Sequence, residues 1–259
     1  MTSKIIAMLL TGLVLGSASA AQHYNGDAYD LDSGRLLYHE SHFLFEDNGV
    51  HERLVLYRCP DGRAFARKIV RDDGHAQAPD FDMRDARTGY REGVRRQNGK
   101  RVVYVQRGAD HALKSAPLDL PPDGVIDAGF DVYVHRHWDA LSRGETLRFS
   151  FLVPSKRKFY TFKLKRLDSD STAGILALRL SLGAWYAFLA PHIDVRYQRK
   201  TRRLLHFAGL SNVRDTHLEN YGVRLTFPTP ARAIPQSAVD AAEQTALVPV
   251  CASSVSATH

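Results

Sequence analysis

Short runs in which apolar and polar residues alternate at every second position, each closed by a turn-forming pair, recur along most of this chain. They leave it little choice but an antiparallel β architecture. Arg35 to Phe45 is followed by Glu46-Asp47-Asn48-Gly49, His51 to Arg58 by Pro60-Asp61-Gly62, and Arg63 to Val70 returns. Tyr90 to Arg96 and Arg101 to Gln106 flank Gln97-Asn98-Gly99-Lys100. Asn-Gly and Asp-Gly accept the positive φ that tight hairpin turns need, so these runs read as meanders of neighbouring strands.

The alternation resumes later. Leu147, Phe149, Phe151 and Val153 share one face, with Tyr160, Phe162 and Leu164 after the turn Pro154 to Lys158. Leu176, Leu178, Leu180 and Leu182 follow, then Ile193, Val195 and Tyr197, Arg202 to Phe207, and a last strand from Val223 to Phe227. One segment obeys a different period. Phe130, Tyr133, Val134, His137, Trp138 and Leu141 recur at helical steps, which predicts one amphipathic helix with Asp127 capping its start and Gly144 closing its end. Asp131, His135, Arg136 and Asp139 fall on its opposite face.

About a dozen strands exceed what a flat open sheet carries comfortably, so the sheet must curl, close or fold over. The expected fold is therefore mainly β: a curved antiparallel sheet, half-barrel or barrel-like, with one amphipathic helix packed on it. Residues 22–227 form one domain in this reading, with residues 110–122 as an internal linker between the two strand sets. Residues 228–259, rich in Pro, Ala, Ser and Thr, read as a disordered tail, with a short helix over Ala238 to Leu247 as the alternative.

The first residues carry an address. Lys4 precedes the apolar run Ile5 to Gly16, and Ala18-Ser19-Ala20 matches a signal-peptidase site, so residues 1–21 read as a signal peptide cut after Ala20 or Ala21. An uncleaved membrane anchor is the competing interpretation. No later segment is long and apolar enough for a transmembrane helix. The chain is then periplasmic or secreted. Its net charge of +7 turns it toward lipid, lipopolysaccharide or another envelope component rather than nucleic acid. The same charge also serves plain solubility. The two cysteines, Cys59 and Cys251, would meet an oxidising compartment and are a candidate disulfide by count alone.

Catalytic signals are weak. Gly209-Leu210-Ser211-Asn212-Val213 fails the spacing of a nucleophile elbow and reads as a turn. His39 and His42 are three apart on a strand and face opposite ways. On a helix His135 and His137 also diverge, and His192 with Asp194 lacks a third ligand, so no metal or other cofactor is assigned. The carboxylates, including Asp30 and Asp32, Asp72 and Asp73, and Asp80 and Asp82, are scattered. Basic residues crowd three turns: Arg91, Arg95, Arg96, Lys100 and Arg101 on one, Lys156, Arg157 and Lys158 on the next, and Arg199, Lys200, Arg202 and Arg203 on the last. The last two groups are the candidate anion-binding residues. Edge protection against strand pairing would put cations in the same places.

The stretches Ala128 to Trp138, Leu141 to Glu145, Phe149 to Ser155, Thr201 to Phe207 and Gly209 to Asn212 resemble uncharacterised exported β-rich proteins of Gram-negative bacteria. The layout is similar to periplasmic proteins whose curved sheet is like the half-barrel of lipoprotein carriers. The resemblance implies a periplasmic location and a curved sheet, and it carries over no catalytic residue. The function expected is a non-catalytic binding module for an amphiphilic or anionic envelope ligand. A periplasmic hydrolase with an unrecognised carboxylate or histidine site, and a structural envelope protein, are the alternatives.

Overall fold

Alternation along the chain becomes one long sheet. The computed structural model describes residues 20–72, 74–183 and 192–252. Most of the expected signal segment, Asp73 and the last residues of the expected tail lie outside the described residues. No helix among the described residues is long and apolar enough to cross a membrane.

The N-terminal set runs β1 (Gln22–Asp30), β2 (Leu36–Asp47), β3 (Val50–Arg58), β4 (Ala64–Asp72), β5 (Asp80–Asp85), β6 (Tyr90–Gln97), β7 (Lys100–Arg107) and β8 (Lys114–Pro117). The C-terminal set runs β9 (Gly124–Val125), β10 (Leu147–Val153), β11 (Lys158–Arg166), β12 (Ile175–Leu182), β13 (Ile193–Gln198), β14 (Leu204–Arg214) and β15 (Asn220–Thr226). Each set is a meander in which neighbours in sequence pair antiparallel, apart from the short parallel pair of β9 and β10. β15 then pairs with β1 and joins the sets into one 16-stranded sheet, with β16 (Arg232–Ala233) also on β1. The expected β fold is thus present. The turns follow their chemistry: Asn48 and Gly49 have φ of 50° and 80°, and Asn98 and Gly99 have 51° and 74°.

Register carries a single inner face across the join. Val195 lies opposite Phe207, Phe207 opposite Leu225, Leu225 opposite Ala28, and Ala28 opposite Tyr38. Directly opposed residues point to the same side of a sheet, so one apolar surface runs from β13 to β2. The sheet curls until its far regions touch. A 3-10 turn, Pro154–Lys156, packs against β6 and β7. The amide of Ile126 donates to the Gln77 carbonyl at 3.1 Å, on the loop before β5. Gly129 lies so close to that carbonyl that a Cβ would sit 1.9 Å from its oxygen, so only glycine fits this approach.

The expected single helix is broken in two, α1 (Gly129–Arg136) and α2 (Trp138–Ser142). The break is at His137, whose φ of −102° and ψ of 19° leave the helical region. The apolar stripe is placed as its spacing implies: Tyr133, Val134, Trp138 and Leu141 are buried against Phe149, Leu178, Val195 and Tyr197, while Asp139 is exposed. Asp127 does not cap α1. Its φ of 45° turns the chain into the helix, and its carboxylate goes to Lys68 instead.

Three further expectations are corrected. Residues 110–122 are not a free linker, because β8 adds to the sheet edge on β7. Much of the expected tail is folded, and the alternative of a short helix over Ala238 to Leu247 is the one met: α3 (Gln236–Glu243) buries Val239 and Ala242 on the outer face of β2 to β4, against Phe43, Phe45, Leu54 and Leu56. Small residues there signal a close-packed helix rather than disorder. Finally, Gly209 to Val213 is a bulged part of β14, not a turn. Ser211 is buried there, its hydroxyl 2.8 Å from that of Tyr38.

Candidate functional site

Curling of the sheet over α1 leaves a partly open cavity of about 500 Å³. Its two sides differ in kind. The wall contributed by α1, β10 and β13 to β15 is apolar, with Phe130, Phe151, Ile193, Val195, Phe207 and Leu225. The floor contributed by β1 to β4 and the loop before α1 is polar and charged.

The floor arises because the inward positions of β2 to β4 and β6 are not all apolar. Tyr38, Glu40, His42 and Leu44 alternate inward on β2. Their opposed residues on β3 bring Tyr57, Val55 and Arg53 to the same side, and Lys68 on β4 opposes Val55. Glu40 and His42 are both under a tenth exposed, and His42 Nε2 lies 2.8 Å from Glu40 Oε2. The His42 ring stacks on Tyr24, with centroids 4.4 Å apart and planes within 5°. Burial holds His42 below the ordinary histidine range, although Glu40 pulls it up. Its Nδ1 has no protein partner.

Asp127 lines the same cavity. Its Oδ1 takes the Lys68 ammonium at 2.9 Å, with both side chains nearly buried, and its Oδ2 is unpartnered. Burial works against the charge of Arg53, but Tyr24, Asp131, Asp127 and Glu40 outweigh it and keep the guanidinium protonated. Arg53 makes no side-chain hydrogen bond with another described residue. Deeper still, burial raises the carboxyl of Glu92, which accepts a 2.6 Å hydrogen bond from Tyr90. Asp131, expected on the solvent side of the helix, instead accepts from the Tyr197 hydroxyl at 3.0 Å.

The candidate basic residues separate. Arg202 and Arg203 line the cavity. Arg202 lies over the Trp138 ring at 5.2 Å, and its carbonyl is 2.8 Å from His135 Nε2. Arg203 donates to the carbonyls of Phe227 and Thr229. Arg199 is spent on the carbonyls of Thr172 and Ile175, which fasten the loop before β12. Lys200, Lys156 and Lys158 are exposed, and Arg157 takes a positive φ of 53° in the turn. None of Lys156, Arg157, Lys158, Arg199 and Lys200 lines the cavity. The turn bearing Lys156 lies against the β6–β7 hairpin, where Arg101 pairs with Asp80 at 2.8 Å and Arg91 with Asp82 at 3.7 Å. Two of the three basic turns therefore meet, and Arg91 and Arg101 are partly neutralised within the sheet.

Cys59 and Cys251 form a disulfide, with Cα atoms 5.5 Å apart, tying the end of β3 to the segment after α3. His39 pairs with Asp27 on the outer face at 2.6 Å, and Asp194 takes Arg179. Among the described residues no three His, Cys, Asp or Glu side chains gather as a metal site. Sequence reasoning missed Glu40, Lys68, Glu92 and Asp127. For Glu40, Lys68 and Glu92 the available signal was a charged residue at an inward position of an otherwise apolar or aromatic strand face.

No protein-family model matches this chain, and no curated protein matches it. Among solved structures it is similar to a beta-barrel-like protein of a domain of unknown function, DUF1849, from Brucella abortus. The two share 7% identity over 83% of this chain and 98% of that one, with a TM-score of 0.49.

Proposed function

We propose that this protein is an exported, non-catalytic binding module that holds a small amphiphile in the cavity between α1 and the curled sheet. The observation that carries this reading is the division of one cavity of about 500 Å³ into an aromatic and aliphatic wall and a charged floor. Small-molecule sites are concave, mostly apolar and furnished with a few convergent polar groups. A ligand lying along this cavity sets its apolar part against Phe207 and Leu225 and its polar end over Glu40, His42, Arg53 and Asp127. Arg202 and Arg203 add positive charge to the cavity lining and can meet a negative group borne beside the polar end of the ligand.

Export is supported by the residues at the N-terminus and by the Cys59–Cys251 bridge, which suits an oxidising compartment. Ala20 and Ala21 directly precede β1, and cleavage after Ala20 keeps the buried Ala21, whose carbonyl accepts from the Ile234 amide at 2.8 Å.

Native mass spectrometry of protein recovered from osmotic-shock fluid tests both parts. The expected result is a chain beginning at Ala21 or Gln22 that carries an added mass removable by organic solvent. Protein found with Met1 in the membrane fraction would overturn cleavage and release. Bare protein that also fails to take up any single-chain amphiphile would overturn the binding reading.

A further inference from the structure

The chemistry of the cavity floor narrows the class of ligand. His42 is more than nine-tenths buried, lines the cavity and has an Nδ1 without a protein partner. Its other ring nitrogen faces a Glu40 carboxylate oxygen at 2.8 Å. A carboxylate only accepts, so Nε2 carries the proton. Burial keeps the ring neutral, which leaves Nδ1 as a lone-pair acceptor. Asp127 supplies a second open acceptor, Oδ2, because Lys68 occupies only Oδ1. A buried acceptor with no donor is costly, so each of these atoms favours a ligand that brings one.

The floor also contains a donor, Arg53, which lines the cavity. Arg53 lies in the field of Glu40, Asp127 and Asp131, and its guanidinium can only donate. An ammonium head would satisfy His42 and Asp127 but offer nothing to Arg53, and it would crowd Lys68. A carboxylate or phosphate head would satisfy Arg53 and leave both acceptors open. A hydroxyl donates and accepts together. Resting on the binding reading above, we infer that the amphiphile presents a hydroxylated head, a sugar or another polyol, to His42 Nδ1, Asp127 Oδ2 and Arg53. Any negative group it bears lies toward Arg202.

Chain-matched probes test this: n-decyl glucoside, decanoate and decyltrimethylammonium, titrated calorimetrically below their micelle concentrations. Wild-type protein should bind the glucoside about tenfold more tightly than either ion, the scale of one or two well-made hydrogen bonds. Asp127→Asn keeps an oxygen for Lys68 and turns an amide donor toward the cavity. It should weaken the glucoside by roughly tenfold and leave decanoate unchanged or bound more tightly, because it removes a negative charge and adds a donor. Equal or tighter binding of decanoate or decyltrimethylammonium by wild type would overturn the hydroxyl assignment while leaving the binding module intact. So would equal losses for all three probes in Asp127→Asn. Binding of none of the three would remove the binding module itself. The wild-type ranking needs no variant, so the assignment stays testable even if Asp127→Asn folds poorly.

Discussion

His42 ties stability to pH through its burial. Its folded-state pKa lies below the ordinary value of 6.5, chiefly because burial penalises the charged ring. The unfolded chain therefore binds a proton first as pH falls, and stability is lost from about pH 7 downward until His42 itself titrates. His23, His137 and His206 are depressed by the same cause and add to the loss. Glu92, raised by burial, acts in the opposite sense, losing stability as pH rises through its elevated value. Urea midpoints should fall between pH 7 and 5 in wild type and fall less steeply in His42→Gln. Identical slopes would show that His42 does not contribute. Trp138 gives a second test at this scale. It is buried, makes an edge contact with Tyr197 at 5.9 Å and lies beneath Arg202, so Trp138→Ala should cost about 3–5 kcal/mol. Asp139→Ala, on the exposed side, should stay within about 0.5 kcal/mol. Equal urea midpoints for the two variants would contradict the placement of the helical stripe.

Among the elements, those governed by local chemistry were legible in the sequence. The Asn48-Gly49 and Asn98-Gly99 hairpins, the leucine face of β12 and the apolar stripe of α1 and α2 follow from spacing alone. What stayed hidden depends on contacts far apart in the chain. Asp127 looks like a cap because of its position before the helix, but Lys68, 59 residues away, claims it. α3 was visible only as the alternative to a disordered tail, because Val239 and Ala242 need only a small footprint on Phe43 and Leu54. Leu152, on the face of β10 opposite Phe149 and Phe151, is buried because the β10–β11 end reaches the opposite side of the curl. The disulfide fastens α3's segment to the sheet, across a separation of 192 residues. Cys251→Ser should lower stability by roughly 2–5 kcal/mol and expose the amides near Val248 to faster hydrogen exchange. Val248 donates to the Ala64 carbonyl at 2.8 Å, so that amide is a direct reporter. Unchanged exchange there would mean that the packing of α3, rather than the bridge, holds the segment.

For the whole molecule, joining two meanders through β1 and β15 creates both the inner face and the cavity beneath it. The candidate site was only partly legible: Arg202 and Arg203 were visible as a basic turn, but the charged floor is assembled from β2, β3, β4 and the loop before α1. Replacing Lys156, Arg157 and Lys158 together with Ser should leave amphiphile affinity within about twofold, since none of them lines the cavity. Arg202→Ser should reduce the salt dependence of binding an anionic probe, because its charge is at the cavity and is screened over about 8–10 Å. The most direct measurement of the central claim is a fluorescence titration of dansyl-labelled undecanoic acid into wild type and Leu225→Trp, which fills the apolar wall. Saturable one-to-one binding by wild type, displaced by n-decyl glucoside and abolished in a Leu225→Trp variant of unchanged fold, is the predicted result. Equal binding by both proteins, or none by either, would contradict the cavity as the binding site.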